Sequence, residues 1–134
     1  MKYLIDTNVL SDARRRRSAS LMAWLADQMV GDLAFSAITL LELERGIQLK
    51  ERRDPEGARA LRRWFTTDVA SLVDGRVLPV TEAVAARAAG LHVPDPMPEM
   101  DALIAATALV HDLVLVTRNV GDFSRSGVRL FDPW

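Results

Sequence analysis

The run Leu113-Val114-Leu115-Val116 is apolar at every position and ends in Thr117. A strand with one wet face would alternate apolar and polar residues, so this one has to be covered on both sides, as in a parallel sheet held between helices. Tyr3-Leu4-Ile5 and Leu33-Ala34-Phe35 have the same character in shorter form. Val77-Leu78-Pro79-Val80 reads as another strand, and its proline, which cannot donate to a ladder, favours the sheet edge. A last short strand is expected near Val128 to Phe131.

Between these segments the apolar spacing becomes helical. It predicts helices from Ser18 to Met29, from Ser36 or Thr39 to about Leu49, through Ala58, Leu61, Trp64, Phe65, Val69 and Leu72, from Thr81-Glu82 to about Leu91, and from about Glu99 to His111. The second and third should form a hairpin. The prolines of Val93 to Pro98 exclude a helix and make that stretch the main internal loop. Strands taking turns with helices define an α/β chain with a mostly parallel central sheet and right-handed crossovers.

The 134 residues, 49% of them hydrophobic, suffice for one domain spanning 1–134 with an ordinary core. The absence of cysteine excludes disulfides, thiolate metal sites and a thiol nucleophile, and fits a reducing, cytoplasmic location. No stretch approaches the roughly 20 apolar residues that span a bilayer, and the first strand is entered without the apolar core of a signal peptide. A soluble chain with no membrane role is expected. A net charge of −1 argues against bulk adhesion to nucleic acid, although 17 basic residues can still be placed unevenly. Nearly all are arginine, lysine occurring only at Lys2 and Lys50, and arginine suits bidentate contacts with phosphate or carboxylate. The run Arg14 to Arg17 is either a solvated segment or an RNA phosphate contact at the edge of a pocket.

Ligands of parallel α/β sheets sit beyond the carboxyl ends of the strands, at the switch in strand order. Asp6 follows the first strand into that region, and Asp6-Thr7-Asn8 could alternatively be a simple Asx turn. Glu42, within Leu40-Leu41-Glu42-Leu43-Glu44, is poorly placed for an acid without a partner, though Thr39 and Glu42 have the spacing of a capping box. Glu44, two residues on, should face the other way, to solvent or an arginine. Asp101 is in a first helical turn, which the helix dipole alone would favour, yet shares a face with Ile104, Ala105 and Ala108 and should point inward. Thr117, Asn119 and Asp122 form a further polar cluster after the apolar strand, in which Asp122 could merely cap a turn.

Acids gathered at one sheet end cannot all stay charged alone; they call for a divalent cation or a cationic partner. Neither His92 nor His111 has partners at zinc-ligand spacing, no Ser-His pair is credible, and the glycines form no phosphate-cradling loop. Trp24 and Trp64 belong to the core.

Together, Leu4-Ile5-Asp6-Thr7-Asn8-Val9-Leu10, Ser36-Ala37-Ile38-Thr39-Leu40-Leu41-Glu42-Leu43, Asp101-Ala102-Leu103-Ile104-Ala105-Ala106-Thr107-Ala108 and Val116-Thr117-Arg118-Asn119 strongly resemble the PIN-domain family. The length and the closing Phe131-Asp132-Pro133-Trp134 look most like the FitB branch of its VapC-type toxins. The resemblance implies a three-layer α/β/α domain and a Mg²⁺- or Mn²⁺-dependent endoribonuclease that leaves 5′-phosphate and 3′-hydroxyl ends. It also implies a cognate antitoxin that blocks the pocket and a toxin homodimer within the complex. By position, Asp6, Glu42 and Asp101 are similar to the family's three most constant acids. The fourth position departs from the pattern, and whether Asn119 or Asp122 completes the site stays open.

On this reading Asp6 and Asp101 would contact the metal directly, and Glu42 would bind through water or hold a second ion. Asn8, Thr117 and Asn119 would orient carboxylates or water. Two rival classes share the acid pocket: a phosphoryl-transfer domain of receiver or haloacid-dehalogenase type, against which Asn8 and the absence of a late lysine count, and a catalytically silent binding module.

Overall fold

The computed structural model describes every residue from Met1 to Trp134. Five strands, β1 (Tyr3–Ile5), β2 (Leu33–Ser36), β3 (Val77–Leu78), β4 (Val114–Val116) and β5 (Leu130–Phe131), form one sheet in the order β3-β2-β1-β4-β5. All four pairings are parallel; Leu4 stands between Ala34 and Leu115, and Leu115 lies beside Leu130. β3 is at an edge, as expected, but is shorter than read: it stops at Leu78, and Pro79 and Val80 lie beyond it.

The strands alternate their side chains between two packed faces. Leu4, Ala34 and Leu115 enter one apolar cluster with Ile38, Ile104, Ala105, Ala108 and Phe123. Ile5, Leu33, Phe35 and Val116 enter the other with Val9, Leu10, Leu21, Leu43, Val69 and Val73. The expected three-layer α/β/α arrangement is thus built from a period-2 division of residues that are apolar on both faces. Each fully buried Leu, Ile or Phe contributes about 1.5–3 kcal/mol relative to exposure, and Phe35 and Phe123 are the largest of them.

The helices are α1 (Thr7–Arg15), α2 (Ala19–Ala26), α3 (Ala37–Arg53), α4 (Arg59–Arg63), a π-helical stretch Trp64–Val69 running into α5 (Ala70–Val73), α6 (Glu82–Leu91), α7 (Glu99–Val110) and α8 (Val120–Phe123). Ser18, Ser36 and Thr81 cap α2, α3 and α6 by accepting from backbone N–H groups inside each first turn. The predicted hairpin of α3 with the following helix is present, clamped by Arg62, which donates to both oxygens of Glu51 at 3.1 and 2.8 Å and sits 2.7 Å from Glu44. No helix is long and apolar enough to cross a membrane.

Two more sequence readings need correction. The segment after β1, where the apolar spacing predicted no helix before Ser18, is α1: Asp6 caps it, Val9 and Leu10 anchor it to the core, and Arg14 and Arg15 are at the C-terminal end, where the helix dipole favours positive charge. The helix from Ser18 stops at Ala26 instead of Met29, and Met29 and Val30 are exposed.

Candidate active site

The chain runs outward from β1 to β2 and β3, then returns to build β4 and β5 on the other side of β1. The order therefore switches between β1 and β4, and the carboxyl ends of those two strands deliver Asp6 and Thr117 side by side. Both are buried, Asp6 being only 5% exposed.

Asp6 is held by three donors. The Thr7 backbone N–H donates to Oδ1 at 2.8 Å, Thr117 Oγ1 donates to Oδ2 at 2.7 Å, and Asn8 Nδ2 approaches the same oxygen at 3.3 Å. Thr117 Oγ1 in turn accepts from the Asn119 backbone N–H at 3.0 Å and from Asn8 Nδ2 at 3.2 Å. That hydroxyl thus uses its one proton and both lone pairs, which leaves Asn8 only one sensible amide orientation. The remaining atom of that amide, Oδ1, is buried with no hydrogen-bond partner.

Glu42 reaches the same place from α3. Its Oε1 accepts from Thr7 Oγ1 at 2.7 Å, and that hydroxyl also lies 3.3 Å from the buried Thr39 hydroxyl. Thr7 therefore ties Glu42 to the backbone unit that caps Asp6. The capping-box alternative is excluded, because α3 begins at Ala37 under Ser36 and Thr39 is already inside the helix. Glu44 turns away to Arg62, as its two-residue offset requires. Asp101, in the first turn of α7, faces the cleft while Ile104, Ala105 and Ala108 of the same face are fully buried.

The result is an open cleft of about 400 Å³ without a single apolar residue in its wall, lined by Asp6, Asn8, Glu42, Asp101 and Asn119 among others. Burial pushes the Asp6 carboxyl above the ordinary value; the Thr117 and Thr7 hydrogen bonds oppose that, and the charges of Glu42 and Asp122 reinforce it. Asp101 is pushed up to about 6 by burial first, then by Asp6, Asp122 and Glu42. The charges of Glu42 and Asp122 thus bear on both Asp6 and Asp101. Asp122 belongs to this group by its charge, although its side chain is exposed on α8 and does not line the cleft. Asn119 does line it.

Sequence reasoning missed three lining residues, Ser11, Asp12 and Arg118, while Arg15 belongs to the run it had set either in solvent or at the pocket's edge. With Asn8, Ser11, Asp12 and Arg15 fall at spacings of three and four on α1, so a recognised helix there would have exposed them. Asp12 Oδ2 accepts from Arg118 Nη1 at 2.6 Å, and its other oxygen lies 3.9 Å from Arg15.

The donors offered to an ion are hard oxygens, and an orphaned amide oxygen, Asn8 Oδ1, lies among the residues of the wall. That chemistry suits Mg²⁺ or Mn²⁺ and is wrong for softer metals. No group of three acidic or imidazole side chains closes to joint coordinating distance. Mg²⁺ takes one or two carboxylates and keeps several waters, so a cleft of this kind fits it without such a cage.

A parallel five-stranded α/β/α sheet with acids massed at its switch point is the architecture of a PIN domain. The PIN domain family model matches residues 3–127, and the chain belongs to that family, in line with its sequence resemblance. It is 34% identical to Toxin FitB of Neisseria gonorrhoeae over 98% of this chain and 97% of that protein. It is 30% identical to a VapC ribonuclease of Sinorhizobium fredii over 98% of this chain and 96% of that one. The crystal structure of FitAcB from Neisseria gonorrhoeae superposes with a TM-score of 0.88 at 33% identity, covering 98% of each chain.

Proposed function

We propose that this chain, acting as a single domain, is a Mg²⁺- or Mn²⁺-dependent endoribonuclease and the toxin of a toxin–antitoxin pair. One observation carries the reading: Asp6, Glu42 and Asp101, brought from three distant segments, line one wholly polar cleft at the sheet's switch point. The family, the ribonuclease name of the Sinorhizobium relative and the toxin name of the gonococcal relative support it.

Asp6 and Asp101 would hold the cation, with Glu42 completing the site through water. When bound, a divalent cation lowers the pKa of water and offsets charge on the phosphodiester under attack. The protein supplies orientation. Thr117, Asn8 and the Thr7 N–H fix the Asp6 carboxylate, and Thr7 Oγ1 fixes Glu42 with Oε2 left to accept from water. Asn119, whose backbone braces Thr117, would present its amide to the substrate or its water, while Asp122 adds negative charge from outside the wall. No protein nucleophile is required.

A cognate antitoxin would neutralise the same acids with a cationic side chain, and a homodimer within that complex, acting in the cytoplasm, completes the reading. Incubation of RNA with the protein in Mg²⁺, Mn²⁺ or chelator tests it. Cleavage only with a cation, leaving 5′-phosphate and 3′-hydroxyl ends, is expected; RNA that stays intact with both ions would contradict it.

A further inference from the structure

The acid cleft does not end at Glu42. It opens into a second hollow of about 250 Å³ that shares Thr7, Ser11, Arg15 and Glu42 with it and is backed by Leu61 and Trp64. Gly46 forms part of this wall, and a Cβ placed there would meet nothing within 4 Å, so the passage is open on that side. A third hollow of about 710 Å³ lies on the far side of Arg14 and Trp64, the two residues it has in common with the second. The acid cleft and the second hollow, with four wall residues in common, make the groove that runs from the acids to Arg14 and Trp64 at the C-terminal end of α1.

Its edge is cationic. Arg14, Arg15 and Arg16 project at the end of α1, all exposed, with Asp68 the only acid in the far hollow. Asp12 is already occupied by Arg118 and approached by Arg15, so it does not neutralise Arg14 or Arg16. The Arg14 guanidinium lies over the Trp64 ring, 5.8 Å from its centroid, and so presents a planar cation backed by an aromatic plane.

We propose that this groove carries the single-stranded segment of the RNA substrate flanking the scissile bond, with Arg14 on Trp64 as a stacking platform for a base. The assignment rests on the ribonuclease reading. A polyanion entering a cleft of acids needs compensating positive charge close by, and here Arg15 lines the acid cleft itself and Arg14 the hollow beside it. Unpaired bases stack on arginine planes as readily as on aromatic rings, which gives binding without sequence readout. An apolar polypeptide has a better match in the hollow between Leu40, Phe65, Val69 and Val77, whose wall contains no arginine.

Fluorescence anisotropy with a labelled oligoribonucleotide of about twelve nucleotides, within the length such grooves track, tests the proposal in chelator, where no cleavage occurs. The Arg14→Glu/Arg15→Glu double variant should bind at least about tenfold more weakly, and its log affinity should fall less steeply with log salt, by about 0.7 for each phosphate no longer neutralised. Arg14→Lys should keep the salt slope while losing affinity, because charge remains and the stacking plane does not. Arg129→Glu is the control: Arg129 pairs with Asp112 before β4 and β5, at the opposite end of the sheet. Arg14, Arg15 and Arg129 are all exposed, so thermal melts should confirm folding of each variant. Affinity and salt slope unmoved by the double reversal, or moved as much by Arg129→Glu, would overturn the groove assignment. Cleavage by the unaltered protein in Mn²⁺ is scored separately. RNA cut with affinity insensitive to Arg14 and Arg15 removes the groove alone; RNA bound through them and never cut keeps the groove and removes the nuclease reading.

Discussion

Thr117 Oγ1 donates a 2.7 Å hydrogen bond to Asp6 Oδ2 across 111 residues of sequence, and both groups are buried where β1 and β4 end. Because this bond favours the charged form of Asp6 against the effect of burial, Thr117 is the residue that keeps a buried acid usable. Thr117→Val, similar in shape but without the hydroxyl, should weaken divalent-cation binding and cost about 1 kcal/mol of stability. Calorimetric cation titration and thermal melting would show both. Unchanged affinity would mean that Asp6 is not oriented through this bond.

Asp101 gives the fold an unusual pH dependence. Its carboxyl is raised to about 6 in the folded state from an ordinary 3.8, so between these values the folded protein binds more protons than the unfolded chain. Stability from this group is therefore present at low pH and lost as pH rises toward 6. In chelator, Asp101→Asn should be more stable than the unaltered protein at pH 7, by roughly 1 kcal/mol once screening at this half-open position is discounted, and the advantage should vanish near pH 4. Chemical denaturation at both pH values measures it; an Asp101→Asn protein less stable at pH 7 would contradict the repulsion among the acids.

Arg62 behaves in the opposite sense. It lowers the Glu51 carboxyl below its usual 4.5 through paired hydrogen bonds, so its contribution is present above that value and disappears as pH falls through the depressed one. Arg62→Ala should lower the melting temperature at pH 7, and the difference should shrink as pH falls below 4.5. A melting difference independent of pH would show that packing of the arginine stem, and not the ion pair, joins the hairpin.

The strands were legible because they are apolar throughout, and the acids because each follows, starts or sits within an element whose apolar residues fix its direction. Asp101, with Ile104 and Ala105 behind it, had nowhere to point except the cleft. The helix α1 was hidden by its composition: Asn8, Ser11, Asp12, Arg14 and Arg15 weaken the apolar pattern to Val9 and Leu10, which a strand's end explains equally well. With α1 unseen, the part of the cleft wall formed by Ser11 and Asp12 was unreadable, and so was the Asp12 bond to Arg118 across 106 residues. The Thr7 link to Glu42 was beyond reach for a different reason, since only the pairing of β1 with β2 brings α1 against α3.

Because ligand carboxylates must be ionised, cation affinity should fall as pH drops below about 6, where Asp101 takes up a proton. Mn²⁺ titrations at pH 7 and pH 5 should differ by about tenfold or more in affinity. Equal affinities would place the ion away from Asp101.

The cleft's role as a cation site is tested most directly by titrating Mn²⁺ into the protein and into Asp6→Asn at pH 7, with free ion followed by electron paramagnetic resonance. The unaltered protein should bind the ion, and Asp6→Asn should lose that binding while remaining folded. Mn²⁺ bound equally well by Asp6→Asn would show that the acids at the switch point are not a metal site.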